Sequence, residues 1–301
     1  MRTSRILPVV VIALVSLLGS AGPAGGAPPS LTDLIAATPD GATLVLSGNY
    51  VVDEPVEILG RRGLTIRGDG TAVVYQRDRR ADGEKIFVVT GGSDISFRDF
   101  EIVGANPSAG NNAVAYSPRT ALGAGIAVKG VDGLRVEGMH VRDTWGDFVD
   151  LDTGGREFPT TSGVRLVGNT FERSGRQGVS MSRWVVDVRI EANQVGGVAR
   201  SVFDIEHAKD VSGVDIVGNR ADGYRNFFLN VGRGGDVGDV AVVANTVTGP
   251  GPGPEGGKGF VNIVLRDPLN LVQDVVVCDN VVDAYLDVSD LSGAAGVATA
   301  C

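Results

Sequence analysis

The sequence predicts an all-β solenoid of short stacked strands. Three observations carry that prediction: a segment that recurs along the chain, an apolar alternation of period two inside each copy, and an asparagine at one fixed place in most copies. The segment reads "DISFRDFEI" from Asp94, "GLRVEGMHV" from Gly133, "GVRLVGNTF" from Gly163 and "DVRIEANQV" from Asp187. It continues with "GVDIVGNRA" from Gly213, "DVAVVANTV" from Asp239 and "DVVVCDNVV" from Asp274. Successive copies start 39, 30, 24, 26, 26 and 35 residues apart. A period in the mid-twenties, lengthened where loops are inserted, marks a solenoid. The 44 glycines and the scarcity of helix-forming runs favour one long β domain.

Within a copy the second and fourth residues are aliphatic. One column is Leu134, Val164, Val188, Val214, Val240 and Val275; the other is Val136, Leu166, Ile190, Ile216, Val242 and Val277. Alternation of period two turns one face of each strand inward. Stacked copies then bury continuous aliphatic columns that a single copy cannot. The seventh position is Asn169, Asn193, Asn219, Asn245 and Asn280. Asparagine tolerates a left-handed backbone, and stacked amides can hydrogen-bond from one turn to the next.

An asparagine ladder at one corner, with short strands on either side, resembles the right-handed parallel β-helix of pectate lyases, polygalacturonases, alginate epimerases and phage tailspikes. The resemblance runs from about residue 43 to 290, some nine coils, and it specifies a fold rather than a reaction. It implies three strands per coil, the copy above supplying the second strand, the corner and the third. The first strand then falls about ten residues past each asparagine, in "FVDLD", "GVSMS", "VFDIE", "FLNVG" and "FVNIV". A right-handed sense follows from the handedness of parallel crossovers.

The chain divides into a secretion signal over 1–27 and a single domain over 28–301. The signal has Arg2 and Arg5, the apolar "ILPVVVIALVSLL" and a small-residue cleavage zone. That apolar run is short of the roughly 20 residues of a membrane span. Ser30 followed by Asp33 begins a short apolar helix that caps the stack over about 30–42; a second cap is expected over about 285–301. Without Arg2 and Arg5, 25 basic residues face 36 acidic ones, a net charge of −11, which argues against nucleic acid as a partner. The only cysteines, Cys278 and Cys301, most simply pair in an oxidising compartment; two free thiols are the alternative. The protein is thus expected to be extracellular, monomeric and free of membrane contact once the signal is cleaved.

Site candidates come from the outward residues of the first strand. One row reads Asp150, Ser180, Asp204, Asn230 and Asn262; the next contains Asp152, Ser182, Glu206 and Gly232. The following corner holds Thr153, Arg183, His207 and Arg233. No such cluster of acids occurs on the second strand, whose outward row reads Arg135, Arg165, Arg189, Asp215, Ala241 and Val276. Asp204 and Glu206 lie roughly 6.6 Å apart along a strand, and Asp150 and Asp204 roughly 9.6 Å apart across two coils. Inverting glycosidases hold acid and base about 6.5–9.5 Å apart. Asp150, Asp204 and Glu206 are therefore candidates for acid and base; Arg183, His207, Arg233 and Lys129 are placed for the alternative, a polyuronide lyase or epimerase, with His207 its natural base. Either class needs the chain held in place. Lys129, Asp152, Arg176, Ser180, Arg183, Asn230, Arg233 and Asn262 are candidates for that, with Trp145 and Trp184 as sugar-stacking rings.

The long insertions "GANPSAGNNAVAYSPRTALG" and "GPGPGPEGGKG", both between third and first strands, are expected to wall a groove on this face. So is "TGGREFPTTS" after one first strand. The expected partner is a polysaccharide, cleaved by a hydrolase, opened by a lyase or epimerase, or bound without reaction by an adhesin. No cofactor is called for; Asp150, Asp152, Asp204 and Glu206 could gather Ca2+, though without the spacing of a dedicated calcium loop.

Overall fold

The computed structural model describes residues 29–77, 84–112, 114–153, 159–206, 209–232, 235–249, 257–264, 271–287 and 289–301. The segment read as a secretion signal lies outside them. Three sheets of eight, nine and ten strands run the length of the stack, and every strand pair is parallel. Each sheet takes one strand from each coil, so neighbours in a sheet are never neighbours in sequence. The fold is a right-handed parallel β-helix.

Register follows the aliphatic columns. Leu134 pairs with Ile95, Val164 with Val188, Val188 with Val214, Val214 with Val240 and Val240 with Val275. On the first strand Val149, Val179, Phe203, Leu229 and Val261 form one inward row, and Leu151, Met181, Ile205, Val231 and Ile263 the next. All ten are buried. Burying one such aliphatic side chain contributes about 1.5–3 kcal/mol, and the stack repeats this in every coil. Aromatic pairs fill the wider places: Phe148 stacks on Phe171 at 5.3 Å, and Phe203 meets Phe228 edge-on at 5.1 Å.

Two kinds of corner shape each coil, and one corrects the sequence reading. At the second corner the left-handed residue is the one before the asparagine: Gly168, Ala192, Gly218, Ala244 and Asp279 have φ between 54° and 63°. The asparagines themselves serve as hydrogen-bonding groups. Asn193 Nδ2 donates to Leu166 O at 2.8 Å and to Asn219 Oδ1 at 2.9 Å, while its backbone N–H donates to Asn219 Oδ1 at 3.0 Å. The same bonds link Asn169 to Asn193, Asn219 to Asn245 and Asn245 to Asn280. The other corner explains why the repeat opens with Gly or Asp. Asp94, Gly133, Gly163, Asp187, Gly213, Asp239 and Asp274 all have positive φ, a region in which these residue types cost least.

At the N-terminal end, helix Leu31–Ala37 starts on a capping box. The Ser30 hydroxyl accepts from Asp33 N–H at 3.2 Å, and the Asp33 carboxylate accepts from Ser30 N–H at 3.1 Å. Leu31 and Ile35 are buried against the first coil, closing an edge that would otherwise pair with other chains. At the other end Ala294–Ala298 adds a tenth strand beside Val272–Cys278, and Cys278 and Cys301 form a disulfide with Cα atoms 5.8 Å apart.

Candidate acid–base site on the first-strand sheet

Strand pairing places Asp150 beside Ser180, Ser180 beside Asp204, Asp204 beside Asn230 and Asn230 beside Asn262. The row is therefore continuous across five coils. It is also largely buried: Ser180 is 1% exposed and Asp204 2%, while Asp150, Asn230 and Asn262 are half-buried. In the two preceding coils the same row is Val88 and Ala127. The fold accepts apolar residues there, so it does not itself demand carboxylates.

Two side chains missed in the sequence complete the cluster. Asp147, 2% exposed, lies in the corner just before Val149–Asp152, and Gln177, 1% exposed, in the matching corner one coil on. Asp147 accepts from Arg176 Nη1 at 2.7 Å, from Gln177 N–H at 2.8 Å and from the Ser180 hydroxyl at 2.6 Å. The second nitrogen of Arg176 pairs with Glu206. Gln177 Nε2 donates to Asp204 Oδ2 at 2.6 Å, and its Oε1 accepts from Ser201 N–H at 2.8 Å. Asn230 Nδ2 donates to Asp204 Oδ1 at 2.6 Å, and Asn262 Nδ2 donates to Asn230 Oδ1 at 2.7 Å. One network thus joins residues of five coils. A signal existed in the sequence. Two places before the first inward residue the coils carry Asp147, Gln177 and Ser201, a polar column in a corner where alternation does not reach.

Ser180 shows how the protons are shared. Its hydroxyl oxygen lies 2.6 Å from Asp147 Oδ2 and 3.1 Å from Asp150 Oδ1. A hydroxyl has one hydrogen, so both contacts are hydrogen bonds only when one of the two acids carries a proton and donates it. Electrostatics point the same way. Burial pushes the Asp147 carboxyl up to about 7, opposed by Arg176 and reinforced by Asp150. Burial likewise takes Asp204 up to about 6, opposed by the Asn230 hydrogen bond, Arg176 and Arg200. Asp150 keeps part of its surface open yet is pushed up too, by desolvation first, with Lys85 opposing and Asp152 reinforcing.

These shifts carry a pH dependence of stability. A carboxyl whose folded pKa lies above its unfolded one stabilises the fold fully below about pH 4 and loses that contribution as pH rises through the folded value. Urea unfolding should therefore show stability falling between about pH 4 and pH 7, by on the order of 3 kcal/mol for a shift of about two units. In Asp204→Asn that slope should be visibly shallower. An unchanged slope would mean Asp204 titrates normally.

The remaining candidates divide. Arg183 lies beside the acidic row but is held by Asp152, Nη2 to Oδ2 at 2.6 Å and Nε to Oδ1 at 3.2 Å. Lys129 is half-buried and pairs in register with Asp152. Trp145 is half-buried in the corner two residues before Asp147. Trp184 sits in the corner after the first strand with a left-handed backbone, φ 53°, and the Lys209 ammonium 5.9 Å from its ring centre. Its indole is therefore engaged within the corner. His207 and Arg233 lie outside the described residues. Among the described residues the one grouping with metal-like spacing is Cys278, Asp279 and Cys301, whose cysteines are bridged.

The insertion over 104–125 runs along the corner between third and first strands. Gly110 N–H donates to Ser174 O at 3.1 Å, and Arg225 Nη1 donates to Asn112 O at 3.1 Å. The Arg200 guanidinium lies 5.1 Å from the centre of the Tyr116 ring. Ser174, Arg200 and Arg225 each precede a first strand of a different coil, so the insertion forms one rim beside the acidic row. Part of each of the other two insertions lies outside the described residues.

No family model matches the chain, and no curated protein matches it. Among solved structures it is similar to the surface protein and adhesin PfbA of Streptococcus pneumoniae, at 11% identity over 86% of this chain and 91% of that one, with a TM-score of 0.42. It is also similar to DFA-IIIase from Arthrobacter chlorophenolicus A6 in complex with GF2, at 15% identity over 86% and 83%, TM-score 0.43. A third is the Dettilon tailspike protein, at 14% identity over 88% and 63%, TM-score 0.30. Identities this low say nothing about the residues of the acidic row.

Proposed function

We propose that the protein binds a polysaccharide along its first-strand face and cleaves it by general acid–base chemistry. The observation that carries this is the shared hydroxyl of Ser180, which bridges Asp147 and Asp150 when one of them is protonated, on a row where the fold accepts alanine. A buried acid cluster is expensive to maintain and is concentrated where chemistry uses it. Asp150 is the natural general acid, being raised in pKa and still partly open to solvent. Glu206, ion-paired with Arg176 and also partly open, is the natural base. Asp147 and Asp204, covered and fully hydrogen-bonded, position these two.

Cleavage is proposed to take place outside the cell. The Cys278–Cys301 disulfide fits an oxidising compartment, and no helix among the described residues is long and apolar enough to cross a membrane.

Incubation with a panel of neutral and acidic polysaccharides tests this, reading new reducing ends and the absorbance of unsaturated uronates. New reducing ends without unsaturated product are expected. Asp150→Asn and Glu206→Gln should each slow the reaction by roughly 10²–10⁴. Full activity in either variant would refute that residue's role. Glycan binding with no product from the unaltered protein would make it a binding module.

A further inference from the structure

The third-strand sheet carries a feature the acidic row does not use. A trough of about 160 Å³ crosses four coils, lined by Thr170, Glu172, Gln194, Gly196, Arg220, Asp222, Thr246 and Thr248 over a floor of Phe171, Val195 and Ala221. Strand pairing shows how it arises. Glu172, Gly196 and Asp222 follow one another across three coils, so the glycine leaves a gap between two carboxylates. A Cβ at Gly196 would come within 2.5 Å of Asp222 Oδ1, because the Asp222 side chain leans into that gap. Alongside, Thr170, Gln194, Arg220 and Thr246 form a second row.

The polar groups of the trough differ from their neighbours on the same sheet. In the preceding coils each charge is matched: Arg142 with Glu101 at 2.5 Å, Arg173 with Asp143 at 2.6 Å, His140 with Glu172 at 3.1 Å. Gln194, Arg220 and Asp222 have no hydrogen-bond or ion-pair partner among the described residues, although Arg220 and Asp222 are two apart on one strand face. A concave surface therefore presents an amide, a guanidinium, the Asp222 carboxylate and several hydroxyls with unused donors and acceptors, beside Glu172, one oxygen of which is engaged by His140. Vicinal sugar hydroxyls, which each donate and accept, match planar groups of this kind. The volume lies below that of a drug-sized pocket and suits one small polar ring.

We propose that this trough is a second saccharide-binding site, taking one sugar ring of a glycan, on a different sheet from the acidic row. It holds the chain without cutting it and does not depend on the acid–base assignment.

The test uses the 15N-labelled full chain and hexasaccharides of glucose, N-acetylglucosamine and galacturonate, followed by 1H–15N spectra. At least one should shift the Gly196 backbone amide and the Gln194 side-chain amide. The apparent affinity read at those signals should weaken about tenfold or more in Arg220→Ala and in Gly196→Gln, and stay unchanged in Asp150→Asn. Gly196→Gln has room to fold, since the atom it meets is the end of an exposed side chain and Gly196 is not left-handed. Absence of those shifts with all three sugars overturns the proposal, as does wild-type affinity in either trough variant.

Discussion

Asn219→Ala is expected to cost roughly 4 kcal/mol or more of stability, a large effect for a single side chain. Asn219 is fully buried, and its amide serves both neighbours at once. Its Oδ1 accepts from Asn193 N–H at 3.0 Å and from Asn193 Nδ2 at 2.9 Å, and its Nδ2 donates to Ile190 O at 2.8 Å and to Asn245 Oδ1 at 3.1 Å. Alanine removes these bonds and a longer one to Val217 O at 3.3 Å, and strands the buried Asn193 N–H and the Ile190 carbonyl. Each buried group left without a partner costs about 1–3 kcal/mol. A chain this long should lose on the order of 10 °C in melting temperature. Because a solenoid is stabilised coil by coil, amide exchange should quicken first in the coils around 193–245. A loss below about 1 kcal/mol would show that the ladder is decoration.

Arg176→Met is the second large effect, and its size depends on pH. Arg176 is 9% exposed and binds both Asp147 and Glu206. Removing one partner of a buried ion pair costs about 3–5 kcal/mol, against less than about 1 kcal/mol for a surface pair. Arg176 also opposes the upward shifts of Asp147, Asp150 and Asp204, so its loss raises all three further. Protonation then relieves the stranded acids at low pH. Urea unfolding should show a cost near 3 kcal/mol at pH 8 that shrinks towards pH 5. A cost under about 1 kcal/mol at both values would mean that the acids do not depend on Arg176.

The parts of the molecule legible in the sequence are those governed by a period. Val164, Val188 and Val214 recur on an alternation of two, and Asn193 and Asn219 recur with them, so strands, inward faces and the ladder could be placed before any coordinates. The row Asp150, Ser180, Asp204 followed from the same count. Corners have no such alternation. Asp147 and Gln177 lie in turns where the chain changes direction, and their neighbours in space are 24 to 33 residues away. Burial hid a second thing. Asp204 looks in sequence like a solvent-facing acid, and only the Gln177 and Asn230 amides closing over it show otherwise. The left-handed corner residue was misplaced by one position for a related reason: asparagine suits both roles, and the ladder claims it for hydrogen bonding.

The chemistry of the site depends on carboxyls that neighbouring coils roof over and so hold partly protonated. Carboxyl 13C titration of the intact chain reads that state residue by residue, with Asp147→Asn and Asp204→Asn assigning the signals. Midpoints near 7 for Asp147 and near 6 for Asp204 are expected. Both groups titrating close to 4, like ordinary exposed aspartates, would contradict the account.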